Sequence, residues 1–95
     1  METTPSSPND FGGRVVVVTG ASRGIGAALA SAFAAAKARL VLAGRKMDSL
    51  EAVADLIRGS GGEALPVACH TGRAADVQAL VDKAREVFGG VDVLV

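Results

Sequence analysis

Apolar residues along this chain occur in short continuous runs that alternate with four-residue repeats. The run at residues 14–19 contains four consecutive valines and predicts a strand that is covered on both faces. Further runs predict strands at residues 39–44, 65–69 and 91–95. Because predicted helices lie between all of these strands, the chain is expected to form a parallel sheet with right-handed crossovers.

Each predicted helix has an apolar face that can cover the sheet. The first is expected over residues 25–37, with Ile25, Leu29 and Phe33 on its buried side. The second has Asp48 as its expected N-cap, in a pattern close to a capping box. The remaining apolar faces are formed by Leu50, Val53 and Ile57 in the second helix, and by Val77, Leu80, Val81, Ala84 and Phe88 in the third.

The predicted order β-α-β-α-β-α-β indicates one mononucleotide-binding half of a doubly wound α/β fold, with one further strand. The expected strand order is 3-2-1-4, with a ligand at the carboxyl ends of strands 1 and 4, where the order reverses. Residues 1–12 begin with a stretch rich in Pro, Ser and Thr and are expected to be a disordered tail. Residues 13–95 form the folded segment. Since the fourth strand should be internal, we expect an N-terminal piece of a larger protein, truncated before a second half.

A glycine-rich segment, TGASRGIG at residues 19–26, joins the first predicted strand to the first predicted helix. Glycines at Gly20, Gly24 and Gly26 let the backbone approach an anion, and the N–H groups and dipole of a helix N-terminus then stabilise it. The spacing is that of neither G-x-G-x-x-G nor a P-loop. The three glycines and the following helix N-terminus nevertheless predict a turn that binds a phosphate.

Charge and composition narrow the choice of partner. The 95 residues have a net charge of zero, which argues against general nucleic-acid binding. Residues 11–47, around the glycine-rich segment, hold six cations and no acid, a distribution that ordinary scatter or an anionic ligand would explain. The sequence has no membrane-length apolar stretch and no targeting signal, so we expect no membrane partner and a cytoplasmic location. A single cysteine, Cys69, suits that reducing compartment.

Residues 19–26 resemble the cofactor signature of the short-chain dehydrogenase/reductase family. The segments LVLAGR at 40–45, GGEA at 61–64 and GGVDVLV at 89–95 are similar to parts of the same family in the same order, and CHTG at 69–72 resembles a subgroup of carbonyl reductases. The resemblance implies a Rossmann fold and hydride transfer between a nicotinamide dinucleotide and a small carbonyl or alcohol substrate. It also implies a parent protein that forms a homo-oligomer.

The resemblance assigns roles to the glycine-rich segment and to the residues after the second strand. Gly20 makes the tight turn, Gly24 and Gly26 admit the pyrophosphate, and the backbone N–H of Ile25 faces the cofactor. An NAD-selective site usually has an acid at the end of the second strand. This chain has Gly44 there, and then Arg45.

An arginine at this point attracts a 2′-phosphate and can bind it in a bidentate manner. Arg23 matches a second cationic position of the family, and Ser22 adds a hydroxyl contact. Together they favour NADP(H) over NAD(H); the alternative is two solvated surface arginines.

Two positions, His70 and Lys37, depart from the family pattern. His70, followed by Thr71, stands where the family commonly has an acid that contacts adenine; its ring is either a hydrogen-bonding partner of the adenine edge or a partly exposed strand end. Lys37 stands where glycine is common, so either the lysine takes a positive φ at some cost or the turn differs. Cys69 is expected to be a small buried hydrophobe without an activated thiolate, and one histidine beside one cysteine cannot supply a metal site.

The catalytic Ser, Tyr and Lys that the resemblance implies have no counterparts here, and the chain has no tyrosine at all. We therefore expect the cofactor-binding segment of an oxidoreductase, without turnover of its own. Two alternatives stay open at this point. The chain could be a non-catalytic nucleotide-binding module, or an interaction module that pairs through the edge of its fourth strand.

Overall fold

The computed structural model describes residues 12–21, 24–70 and 72–95, which form a four-stranded parallel sheet between two layers of helices. The elements in chain order are β1 (Val15–Thr19), α1 (Gly24–Ala35), β2 (Arg39–Gly44), α2 (Met47–Gly59), β3 (Glu63–Ala68), α3 (Ala74–Phe88) and β4 (Val93–Leu94). The strand order is β3-β2-β1-β4. The predicted fold class and topology are confirmed, whereas the expected tail lies, except for Gly12, outside the described residues.

Alternate side chains of the two central strands divide the core between the faces of the sheet. One face packs under α1 and α2, and the other packs under α3. The first face presents Val16, Val18, Leu40 and Leu42, and the second presents Val15, Val17, Val41 and Ala43. All of these side chains are buried. The continuous apolar run of β1 therefore reflects a strand that is covered on both sides, as its sequence predicts.

Helix α1 differs from its prediction at its first turn. It begins at Gly24, and Ile25, expected on the buried face, is 81% exposed. The reason is that Gly26 packs directly against the backbone of Gly20. The side chain of the adjacent Ile25 therefore points away from the core. Further along, Leu29 and Phe33 pack against the core as predicted.

The predicted cap of α2 is wrong. The helix begins at Met47, and the N-cap position is occupied by Lys46, which makes no side-chain cap hydrogen bond. Asp48 lies instead in the first helical turn, where its negative charge interacts favourably with the helix dipole. Aspartate is favoured at both places, so the sequence pattern located the start of the helix but not the capping residue.

The strand ends also shift. β3 pairs with β2 along its whole length, from Glu63 to Ala68, so it starts earlier than predicted and ends before Cys69. Pro66 is accommodated because β3 is an edge strand. β4 is shorter than predicted because only Val93 and Leu94 pair with β1.

Hydrogen bonds outside this short ladder hold β4 beside β1. The Asp92 carboxylate accepts a hydrogen bond from the Val15 N–H at 2.8 Å. At the other end, the Val95 carbonyl accepts hydrogen bonds from the Thr19 N–H at 3.0 Å and from the Thr19 hydroxyl at 2.9 Å. Of these, the contacts of Thr19 with Val95 lie at the carboxyl ends of β1 and β4, where the strand order reverses.

Helices α1 and α2 end in the same hydrogen-bonding pattern, a Schellman motif. After α1, the Ala38 N–H donates to the Phe33 carbonyl at 3.0 Å and the Lys37 N–H donates to the Ala34 carbonyl at 2.9 Å. The motif requires a left-handed residue, which is Lys37 with a φ of 72° in α1 and Gly61 with a φ of 90° in α2. Lys37 therefore takes a positive φ, which was one of the two alternatives for this position, and this conformation has an energetic cost for a non-glycine residue.

We expect the change Lys37→Gly to raise the free energy of unfolding by about 0.5–1 kcal/mol. A left-handed non-glycine residue costs about 1–2 kcal/mol, and the extra backbone entropy of an unfolded glycine offsets about 0.5–1 kcal/mol of that gain. Urea denaturation measures the difference. The reverse change at the matched position, Gly61→Lys, should lower stability by a similar amount. A less stable Lys37→Gly variant would contradict this assignment.

Candidate functional site

The connections that follow β1, β2, β3 and β4 all leave the sheet at its carboxyl edge, because the strands are parallel. This geometry brings the predicted site residues of the glycine-rich turn to the same edge as Arg45 and His70. The predicted site residues Ser22, Arg23 and Thr71 lie outside the described residues. The candidate site is therefore built from Gly20, the start of α1, and the ends of β2 and β3.

Glycine is required at the three positions of the turn for two different structural reasons. Gly20 and Gly24 have φ values of 63° and 64°, which side chains adopt only with strain. Gly26 has an ordinary φ, but a Cβ there would lie 2.6 Å from the Gly20 carbonyl carbon and overlap its oxygen. The bare surface of Gly26 thus lets α1 begin directly against the turn.

This close approach gives the start of α1 the chemistry of an anion site. The first helical N–H groups lack intrahelical partners, and the positive end of the helix dipole lies at the same place. The first turn contains no acidic side chain that would compete with an anion. The Ala21 N–H donates to the Ala43 carbonyl at 3.2 Å, which ties the turn to β2. The arrangement suits a phosphate or pyrophosphate.

Gly44 contributes backbone and space rather than a functional group. It is fully enclosed, and a Cβ at this position would lie 3.2 Å from a Leu50 methyl carbon. Its carbonyl accepts a hydrogen bond from the Cys69 N–H at 2.7 Å. Packing under α2 therefore explains why the end of β2 carries no side chain, and it leaves the following residue, Arg45, as the first side chain at this edge.

Arg45 and His70 meet across the ends of β2 and β3. The exposed Arg45 guanidinium lies with Nη2 2.5 Å from His70 Nε2. The backbone N–H of His70 donates to Asp76 Oδ2 at 2.9 Å, and its ring Nδ1 lies 3.1 Å from the Gly72 nitrogen. Asp76, in the first turn of α3, was missed by sequence reasoning, although an acid at the start of a helix is a usual partner for neighbouring N–H groups.

Cys69, expected to be buried, is only partly buried and packs against the core under α3. Its burial raises the pKa of the thiol above the ordinary value, and the negative charge of Asp76 raises that pKa further. The thiol is therefore neutral at neutral pH and is a poor nucleophile.

We expect iodoacetamide to alkylate Cys69 with a pH-rate midpoint above that of a free cysteine. Asp76→Asn should lower this midpoint, since it removes the charge while an amide oxygen can still accept the His70 N–H. Mass spectrometry of the alkylated chain over a pH series measures both. A wild-type midpoint at or below the free value would contradict the environment described for this thiol.

An open groove lies at the opposite edge of the sheet. It is lined by Lys37, Arg39, Leu56 and Glu63, among others. The C-terminal ends of α1 and α2 border this groove, and their dipoles present partial negative charge to it. An anionic ligand is therefore better placed at the carboxyl edge.

Two other kinds of feature are absent from the described residues. In residues 12–21, 24–70 and 72–95, no group of three or more His, Cys, Asp or Glu side chains is placed to hold a metal ion. Within the same ranges, the helices are too short or too polar to cross a membrane.

Parallel strands in this order, with a glycine turn at a helix N-terminus, define an α/β protein of the Rossmann type. The short chain dehydrogenase family model matches residues 14–95. The chain belongs to this family.

Relatives cover nearly the whole chain but extend well beyond it. A fatty acyl-CoA reductase of Mycobacterium tuberculosis is 40% identical over 88 residues, which are 93% of this chain and 30% of that protein. The structure of L-sorbose reductase from Gluconobacter frateurii with NADPH and L-sorbose matches with a TM-score of 0.86 and 38% identity, over 90% of this chain and 33% of that one.

A short chain dehydrogenase/reductase from Burkholderia phymatum in complex with NAD also matches, with a TM-score of 0.86 and 40% identity over 90% of this chain and 30% of that one. The chain thus spans about a third of the length of these relatives.

Proposed function

We propose that this chain is the NADP(H)-binding segment of a short-chain dehydrogenase/reductase. The observation that carries the proposal is that Gly20, Gly24 and Gly26 lie at the same edge of the sheet as Arg45. A Cβ on Gly26 would overlap the Gly20 carbonyl, so the bare Gly26 keeps the N-terminus of α1 directly against the turn. The relatives with bound NADPH and NAD support a nicotinamide dinucleotide as the ligand.

Each part of the site has its own task in this proposal. The turn at Gly20 and the N–H groups of Gly24, Ile25 and Gly26 bind the pyrophosphate at the start of α1. Arg45 binds the 2′-phosphate, since a guanidinium matches a phosphate in charge and geometry. When bound, the nicotinamide ring supplies hydride transfer.

Cofactor choice depends on the end of β2. The strand ends at Gly44, so no carboxylate is present there to bind ribose hydroxyls or to repel a 2′-phosphate. The adjacent Arg45 is exposed and cationic. We therefore assign a preference for NADP(H) over NAD(H), with Ser22 and Arg23 of the same turn as further phosphate contacts and Thr71 as a contact near the adenine.

We place the catalytic step outside this chain. Proton transfer by a tyrosine, as the family resemblance implies, has no donor here because the chain contains no tyrosine. The parent enzyme would act on a small carbonyl or alcohol in the cytoplasm and assemble as a homo-oligomer. These 95 residues supply cofactor binding.

Isothermal titration of the chain with NADPH and with NADH tests the proposal. We expect saturable binding of NADPH, tighter than that of NADH by about tenfold or more, which corresponds to ~1.4 kcal/mol. Circular dichroism of the same sample checks that the chain is folded. A folded chain that binds neither dinucleotide would overturn the proposal, and equal affinities would overturn the NADP(H) preference.

A further inference from the structure

Arg45 contacts an imidazole rather than a carboxylate. Within the described part of the chain, the ion pairs join Arg58 to Glu51 and Asp55, and Lys83 to Glu86; none includes Arg45. Its side-chain contact is the imidazole of His70, with Nη2 and Nε2 2.5 Å apart. A neutral acceptor fixes the direction of a guanidinium without neutralising its charge, whereas a carboxylate would compete with an anionic ligand for it.

His70 is itself fixed through its backbone. Its N–H donates to Asp76 Oδ2 at 2.9 Å, and its carbonyl accepts the Arg73 N–H at 3.0 Å. Both contacts join the end of β3 to the start of α3. The imidazole is half-buried, and the two hydrogen bonds hold its backbone in place. It can therefore orient the longer, exposed side chain of Arg45.

The two ring nitrogens of His70 both face donors, Arg45 Nη2 at 2.5 Å and the Gly72 nitrogen at 3.1 Å. A neutral imidazole has one acceptor nitrogen, and a guanidinium has donors only. The imidazole therefore accepts from Arg45 in one tautomer and from the Gly72 N–H in the other. The charged contact is the stronger one and favours the tautomer with the lone pair on Nε2, in which Nδ1 no longer accepts from Gly72. The ring edge nearest the site is then occupied by Arg45, which keeps its remaining N–H groups for a phosphate.

We propose that His70 is a positioning residue that orients Arg45 toward a 2′-phosphate and thereby contributes to cofactor choice without contacting the adenine. This inference rests on the proposed NADP(H) function. It replaces the expectation of an adenine contact for His70 with a role that acts through Arg45.

The ligand pair 2′,5′-ADP and 5′-AMP separates this role from others, because the two molecules differ only in the 2′-phosphate. For His70→Leu we expect 2′,5′-ADP to bind about fivefold to tenfold more weakly, the size of the effect of one ordinary hydrogen bond, with 5′-AMP binding unchanged. His70→Gln should restore most of the affinity, since its amide oxygen can accept from Arg45. In an Arg45→Ala background, His70→Leu should have no further effect. Isothermal titration of the folded chain measures every case.

The outcomes distinguish the two claims. Equal weakening of both ligands by His70→Leu would indicate an adenine contact or a general structural effect and would overturn the inference. Unchanged 2′,5′-ADP binding, or a full effect of His70→Leu in the Arg45→Ala background, would also overturn it while leaving the proposed function intact. A folded wild-type chain that does not prefer 2′,5′-ADP would overturn the NADP(H) proposal itself, and this inference with it.

Discussion

Replacing Gly26 by alanine should abolish NADPH binding by the chain and lower its free energy of unfolding by about 3 kcal/mol, at the upper end of the usual effect of overpacking. The added Cβ would overlap the Gly20 carbonyl oxygen and lie 2.6 Å from its carbon. Both neighbours are backbone atoms, so no side-chain rotation can relieve the contact. The turn must move away from α1, which separates Gly20 from the N–H groups at the start of the helix.

Gly59→Ala is the matched control for this change. Gly59 also lies in a helix, at the end of α2, but no atom lies within 4 Å of a Cβ placed on it. This variant should keep NADPH binding and gain up to ~1 kcal/mol from helix propensity. Urea denaturation and isothermal titration give both quantities. NADPH binding by Gly26→Ala at wild-type strength would contradict the role of the turn.

Changing Arg45 to aspartate should weaken NADPH binding by about 1–3 kcal/mol, the range expected for a lost charge-assisted hydrogen bond. An aspartate would repel the 2′-phosphate, and it would be able to accept hydrogen bonds from the ribose hydroxyls of NADH. The ratio of NADPH to NADH affinity should therefore fall sharply. The ratio is the informative quantity, because a general loss of folding would lower both affinities.

Arg85→Asp provides the same change in net charge at an exposed position in the last turn of α3. Because that turn precedes β4, it lies at the edge of the sheet opposite the glycine turn, and the cofactor ratio should stay at its wild-type value. Titrations of both variants with both dinucleotides complete the comparison. An unchanged ratio in Arg45→Asp would show that the assigned phosphate partner is incorrect.

The architecture was predictable because burial leaves a direct signature in the sequence. A strand covered on both faces must be apolar throughout, and the four valines of β1 are all buried in the structure. The glycine turn could also be predicted from the sequence, because its conformation requires glycine. Gly20 and Gly24 adopt positive φ, and Gly26 allows a close backbone contact. Alternation of strands and helices then restricted the topology.

Details that depend on side-chain direction were less accessible. Ile25 fits the helical repeat but points away from the core, because Gly26 sets the helix against the turn. The contact between Arg45 and His70 joins residues 25 positions apart. Parallel register places Gly44 beside Ala68, so the proximity of the two segments followed from topology. The pairing of the two side chains depends on their rotamers, for which the sequence has no comparable signal.

Backbone-amide chemical-shift mapping during NADPH titration tests most directly whether the carboxyl edge of the sheet is the cofactor site. The largest shift changes are expected at Gly20, at residues 24–26 and at Arg45, with saturation at one common dissociation constant. The groove residues Lys37 and Glu63, at the opposite edge, should change little. Largest changes in that groove, or no saturable change at the glycine turn of a folded chain, would contradict the account.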